Sequence, residues 1–464
     1  MPAVDLKTRE DITMTKDLTK GSPMKLIISF AVPLLFGFLF QQFYNLVDTM
    51  IVGRFLGVDD LAAVGSTGSI NFLVIGFCMG VCNGFAIPVS HKFGAGDYVG
   101  MRKYVANCAW LGLAFSVVMT VVTAILCRNI LVWMKTPANI IDGAYDYIFI
   151  IFIGIPTVYL YNIVAGVIRA TGDSKTPVVF LVLSSIINIV LDLYFIISLH
   201  MGVAGAAWAT VISQGLSAAW VMKFLTGKKA ILQLSKRAMH LEWKFVKEII
   251  FLGTSGFVMS VTNGLVQIVC NATLQRYGGD IYVGIMTVIN SVREIVTMPV
   301  TGLTAASQPV IGYNYGAGCY QRVKSAIRFT AVGCIVFTTV VWAVLFLEPR
   351  FFLQMFTKEP GILQYGVSAM RIYFCGIFMM ALQFAGQSTA VALNRAKQAV
   401  FFSLFRKVII VIPLTMLLPM IGNLGTDGVF WAEPISNVIG GTACFVTMLL
   451  TIWPKLREGS CCSQ

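Results

Sequence analysis

Apolar residues run along this chain in long unbroken stretches, without the period of 3.6 or 2 that marks the half-buried helices and strands of a water-soluble core. Breaks of Gly, Pro and clustered charge separate twelve runs: 26–52, 61–90, 105–127, 145–168, 178–199, 203–225, 246–274, 281–311, 325–347, 364–390, 400–420 and 428–452. About 20 apolar residues cross the hydrocarbon of a bilayer, so each run predicts a transmembrane helix. The longer runs predict tilt or bending. Residues 1–25 are polar and mixed in charge, with no apolar stretch of the signal-peptide kind. Their end, Lys20-Gly21-Ser22-Pro23, opens the first helix.

Composition turns the pattern into a class. Hydrophobic residues make up 57% of the 464, charged residues 12%, and mean hydropathy is +0.81. A soluble domain carries about 25% charged residues, so the chain is an all-α integral membrane protein. The net charge of +13 sits in short loops between runs, which points to topology and not to a nucleic-acid-binding face. With alternate loops assigned to opposite sides, 26 of the 34 Lys and Arg are counted on the side of the termini, four of them (Arg395, Lys397, Arg406 and Lys407) between the end of the tenth run and the first part of the eleventh. The other side holds Arg54, Arg128, Lys135, Arg276, Arg350 and Lys358, while Arg293 and Arg371 lie inside runs. The asymmetry predicts a multi-pass protein of the cell membrane with both termini cytoplasmic.

Other chemistry is excluded step by step. The eleven cysteines are scattered, and Cys78 and Cys82 share a helix face without a flanking His, which suits packing better than metal. Gly94-Ala95-Gly96-Asp97 lacks the Lys-Ser/Thr of a phosphate loop. No catalytic triad or paired acid and base stands out, so an enzyme and a bound cofactor are not expected. Energy for any transport would come from an ion gradient.

The chain also repeats itself. Pro88-Val89 and Phe93-Gly94-Ala95-Gly96 recur as Pro309-Val310 and Tyr315-Gly316-Ala317-Gly318. Gly205-Ala206-Ala207-Trp208-Ala209 recurs as Gly428-Val429-Phe430-Trp431-Ala432, and Arg169-Ala170 as Arg395-Ala396. The three matches stand in order at nearly constant displacement. They predict a cytoplasmic head at 1–25, a six-helix lobe at 26–225, a basic cytoplasmic linker at 226–245, a second six-helix lobe at 246–452 and a cytoplasmic tail at 453–464. Six is even, so the lobes are parallel repeats around a central cavity, the plan of a transporter.

The chain resembles the multidrug and toxic compound extrusion (MATE) family over nearly its whole length, most closely the bacterial drug-exporter branch. The resemblance rests on Pro33 ahead of Gln41-Gln42-Phe43-Tyr44-Asn45-Leu46-Val47-Asp48-Thr49, on Leu61-Ala62-Ala63-Val64-Gly65 and on Gly94-Ala95-Gly96-Asp97. It extends through Arg169-Ala170-Thr171-Gly172-Asp173, Asn188 with Asp192, Trp208-Ala209-Thr210 and the Asn-Tyr-Gly-Ala-Gly stretch at 314–318.

An ionisable residue inside a span is costly and is a functional candidate by default. Asp48, Asp192, Arg293, Glu294, Arg371 and Glu433 qualify, with Glu433 given least weight. Asn188 and Asp192, at i and i+4, share a helix face. The resemblance implies that Asp48, Asn188, Asp192 and Thr210 converge in the first lobe as a cation-coupling site. Such oxygens suit a proton or, as the one metal expected, a sodium ion; a polar network that merely ties helices together is the other reading. The copy differs: Asp48 maps to Val269, Asn188 and Asp192 to Leu414 and Leu418, Thr210 to Glu433. Pro33 removes a backbone hydrogen bond and makes either a working or a static kink. Glu294 facing the cavity would suit an organic cation, whereas pairing with Arg371 or burial against Arg293 would make it structural.

The expectation is a monomeric antiporter that exports amphipathic, often cationic, compounds in exchange for H⁺ or Na⁺. The alternative is a flippase for a lipid-linked oligosaccharide or similar polar lipid. That would require a strongly basic cavity, and this count leaves only Arg293 and Arg371 inside the spans.

Overall fold

A computed structural model describes residues 17–134, 136–226, 240–422 and 424–456. Most of the expected head, linker and tail therefore lies outside the described residues. Every regular element among those described is helical: α1 (Pro23–Phe55), α2 (Val58–Gly94), α3 (Tyr98–Trp133), α4 (Ile141–Ile153), α5 (Ile155–Ala170), α6 (Lys175–Leu193) and α7 (Gly202–Thr226), then α8 (Trp243–Gly316), α9 (Tyr320–Leu347), α10 (Pro349–Phe356), α11 (Pro360–Phe374), α12 (Ile377–Ala392), α13 (Ala396–Leu404), α14 (Ile412–Leu417) and α15 (Gly425–Thr451).

Twelve spans follow from these elements. Helices α4 and α5 form one span bent by 42° at Gly154, and α11 and α12 form one bent by 44°. Pro156 follows the first break and offers no N–H to an unbroken helix. The long α8 is two spans joined at Gly279, whose φ of 70° and ψ of −164° leave the helical region. Helix α6 ends in a π turn at Tyr194–Ser198. A second π segment, Phe405–Val411, joins α13 to α14.

The helices turn their most apolar faces outward. On α9, Val332, Val336, Val340 and Val344 are exposed, whereas Thr330, Cys334 and Thr338 are buried. On α3, Val117, Val121 and Ile125 are exposed and Gly112, Ser116 and Thr123 are buried. Lipid solvates the branched chains, while small and hydroxylated residues let helices approach and return their hydroxyls to their own backbone. Thr123 Oγ1, for example, donates to the Met119 carbonyl at 2.7 Å.

Two compact units result: residues up to Leu18 with Pro33–Gly256, and Thr19–Val32 with Phe257 onward. In the first, α5 packs on α2, α3 and α7, and α6 on α7; in the second, α12 packs on α15 and α9. The twin turns after α2 and α8 are alike. Gly96 (φ 70°) and Gly318 (φ 74°) take left-handed conformations open to glycine, and Asp97 and Cys319 cap the next helix. Asp97 accepts from the Gly100 N–H at 2.8 Å and from Lys92 Nζ at 2.8 Å, which holds its carboxyl below the usual range.

Helix α2 meets the start of α8 backbone to backbone. A Cβ on Gly84 would lie 2.6 Å from the Leu252 carbonyl, and one on Gly80 2.8 Å from the carbonyl carbon of Gly256. Gly264 has open space around it. Gly84→Ala should therefore destabilise the protein by about 1–3 kcal/mol through overpacking. Thermal unfolding in detergent should show this loss, with Gly264→Ala matching the parent.

Candidate functional site

Four helices of the first unit bring the predicted polar residues together. Helix α1 carries Tyr44 and Asp48, α6 carries Asn188 and Asp192, α7 carries Thr210, and α4 adds Tyr147. Each pair on α1 and α6 is spaced i and i+4, so both members face the same neighbour. Asp192 is fully buried, Asn188 nearly so, and Asp48 and Thr210 are also buried. The Asn188 amide satisfies both neighbours in one orientation: Nδ2 donates to Asp192 Oδ2 at 3.0 Å, and Oδ1 accepts from the Thr210 N–H at 3.2 Å.

The carboxyls of Asp48 and Asp192 lie beside each other. The Oδ1 atoms of Asp48 and Asp192 are both buried without a partner. Acceptors left over in low dielectric are unusual in a purely structural network. Such oxygens can take a proton, or join Thr210 Oγ1 as hard oxygen ligands for a small cation. Among the described residues no group of three or more His, Cys, Asp and Glu converges as a metal centre. Tyr44 and Tyr147, neither of them expected as site residues from the sequence, lie near both carboxyls. Their signal was available for Tyr44, one helical turn before Asp48.

Pro33 lies inside α1, which continues through it, and the boundary between the two units falls between Val32 and Pro33. Glu294 is exposed. Arg371 is also exposed, and its Nε donates to the Phe346 carbonyl at 3.2 Å instead of pairing with Glu294.

The second unit holds what the sequence reading missed. Arg406 and Lys407, counted there with the loop before the eleventh run, are 5% and 4% exposed and belong to that span. The count of Lys and Arg on the side of the termini is accordingly two fewer. Both side chains converge on Glu433 of α15: Arg406 Nη2 lies 3.1 Å and Lys407 Nζ 3.2 Å from Oε1. Arg293 of α8 approaches the same oxygen at 4.0 Å and donates to the Tyr373 hydroxyl at 2.8 Å. Arg406 also donates to Asn437 Oδ1. Adjacent residues of a regular α-helix point about 100° apart. The widened π turn at 405–411 lets two consecutive cations reach one carboxylate, a typical use of a π bulge. The available signal was two basic residues well inside the 400–420 run.

A sequence profile of the MatE family matches residues 33–194 and again 256–417, each edge of the second match lying 223 positions after the first. That displacement sets Thr210 opposite Glu433, Asp192 opposite Thr415 and Asp48 opposite Asn271, in place of the leucines and valine that cruder offsets gave. The copy still lacks the carboxylate pair. The chain is 31% identical over 330 residues to the probable multidrug resistance protein YoeA of Bacillus subtilis, covering 70% of this chain and 71% of that protein. It is 23% identical to the multidrug export protein MepA of Staphylococcus saprophyticus over 94% of both chains. The fold superposes on a crystal structure of MATE in the bent conformation with a TM-score of 0.90 at 22% identity, covering 96% of this chain and 99% of that one.

Removing one member of a buried ion cluster strands the others at a cost of roughly 3–5 kcal/mol. Glu433→Ala should therefore lower the thermal stability of the purified protein by that order. Glu294→Ala, at an exposed position, should leave the melting temperature nearly unchanged.

Proposed function

Because the chain belongs to the MatE family of membrane transporters, we propose that it is a secondary active antiporter exporting amphipathic, often cationic, compounds in exchange for H⁺ or Na⁺. The observation that carries this reading is the meeting of Asp48 and Asp192 inside the first unit with one acceptor oxygen of each left over. A site of that kind changes charge when it takes up an ion. In low dielectric the change is large, so the packing of α1, α6 and α7 around it responds. Drug and ion then favour different arrangements, which is what exchange requires.

The driving force is of suitable size. A tenfold ion gradient supplies about 1.4 kcal/mol, and a 100 mV potential adds about 2.3 kcal/mol per net charge moved. Pro33, inside α1, supplies the position where that helix yields. The skew of basic residues supports a cell-membrane protein with both termini cytoplasmic, and a single chain contains the whole proposed site. Names of the relatives support drug-like compounds as the cargo. Glu294 is the residue we assign to attract their positive charge.

The coupling assignment predicts a separation of two activities. In reconstituted vesicles, Asp48→Asn or Asp192→Asn should abolish export driven by an imposed proton or sodium gradient, while drug binding to purified protein persists. Asn188→Ala and Thr210→Ala should cost less, about 1 kcal/mol for each neutral hydrogen bond. Export up a gradient at the parental rate by both Asn variants would place coupling elsewhere.

Glu294→Gln removes charge but little volume. Export of permanently cationic compounds should fall several-fold while neutral ones continue; an equal loss for both would make Glu294 structural.

A further inference from the structure

The ion cluster of the second unit is unbalanced. Arg293, Arg406 and Lys407 face the single carboxylate of Glu433. Among the described residues no second carboxylate reaches any of the three. The membrane interior offers no bulk water to screen the surplus of positive charge, and a buried charge without a counter-charge is costly. Arg406 Nε is also buried without a partner.

A small cavity adjoins the cluster, lined by Arg293, Tyr373, Glu433, Asn437 and the apolar Phe374, Ile377 and Met380. Its volume of about 10 Å³ admits one water-sized body. Most of its exposed wall is apolar, and the polar groups stand at its edge. The Tyr373 oxygen already accepts from Arg293, so its O–H is left to donate elsewhere. The Asn437 oxygen already accepts from Arg406, so its NH₂ remains. Arg293 keeps further N–H groups of its five. The one opposing group is the Glu433 carboxylate, which also lines the cavity and limits affinity.

We propose that this cavity is a binding site for a small monovalent anion of halide size, held by Arg293, Tyr373 and Asn437. The anion offsets part of the surplus charge of the cluster. The site is separate from the Asp48 and Asp192 pair and stands or falls independently of the coupling assignment.

The probe is bromide, compared with gluconate at equal ionic strength, on the full chain purified in detergent. Bromide should raise the melting temperature with a saturable dependence, and an anomalous diffraction peak should mark the cavity beside Arg293. Arg293→Gln, at a partly exposed side chain, should weaken the apparent bromide affinity about tenfold or more, the loss of one charge-assisted hydrogen bond. Glu433→Gln removes the opposing carboxylate and should tighten bromide binding, although the protein without bromide is less stable. A merely structural cluster would not give that opposite sign. Equal melting temperatures in bromide and gluconate, or weaker bromide binding by Glu433→Gln, would overturn the proposal.

Discussion

Hydrocarbon does not solvate charge, and this constraint shapes every informative feature of the molecule. Valines and leucines can face lipid at no cost, so they carry no message. Each ionisable side chain inside a span must instead find a proton, a counter-charge or a hydrogen-bond partner from another helix. Among the described residues such groups gather in two places within the spans, and there helices are tied together by charge as well as by packing. Asp48 and Asp192 lie beside each other, with the Asn188 amide bridging Asp192 and the Thr210 backbone. Arg406, Lys407 and Arg293 meet through Glu433.

The duplication makes the contrast between these clusters legible. At a displacement of 223, Thr210 of the first cluster corresponds to Glu433 of the second. The same fold position thus contributes a neutral hydroxyl to an acidic site in one half and the only anion to a basic site in the other. The two profile matches begin at Pro33 in α1 and Gly256 in α8, and the unit boundaries fall beside these residues. One residue lacks a backbone donor and the other lacks a side chain, yet both helices continue through them.

The two π segments among the described residues both adjoin the charged clusters. The π turn at Tyr194–Ser198 begins two residues after Asp192, and the π segment at Phe405–Val411 contains Arg406 and Lys407. In the second case the reason is geometric: two adjacent cations reach one carboxylate only if the helical turn widens. The loss of regular backbone bonding is offset by ion pairs that low dielectric strengthens.

The sequence by itself determined the membrane class, the twelve spans, the internal copy and the candidate residues of the first cluster. Those properties follow from additive quantities: the length of an apolar run, the spacing of i and i+4, and the rarity of charge inside a span. It did not determine that Arg406 and Lys407 are buried in the bilayer, because a basic pair interrupting an apolar run looks the same whether it delays the start of the span or lies buried within it. Nor did it rank Glu433, whose importance depends on three cations from α8 and the segment after α13. Only the tertiary structure decided those points. Whether a charge in a membrane is a loop anchor or half of a buried pair depends on the partner brought opposite it by packing, and that partner lies 26 to 140 residues away along the chain.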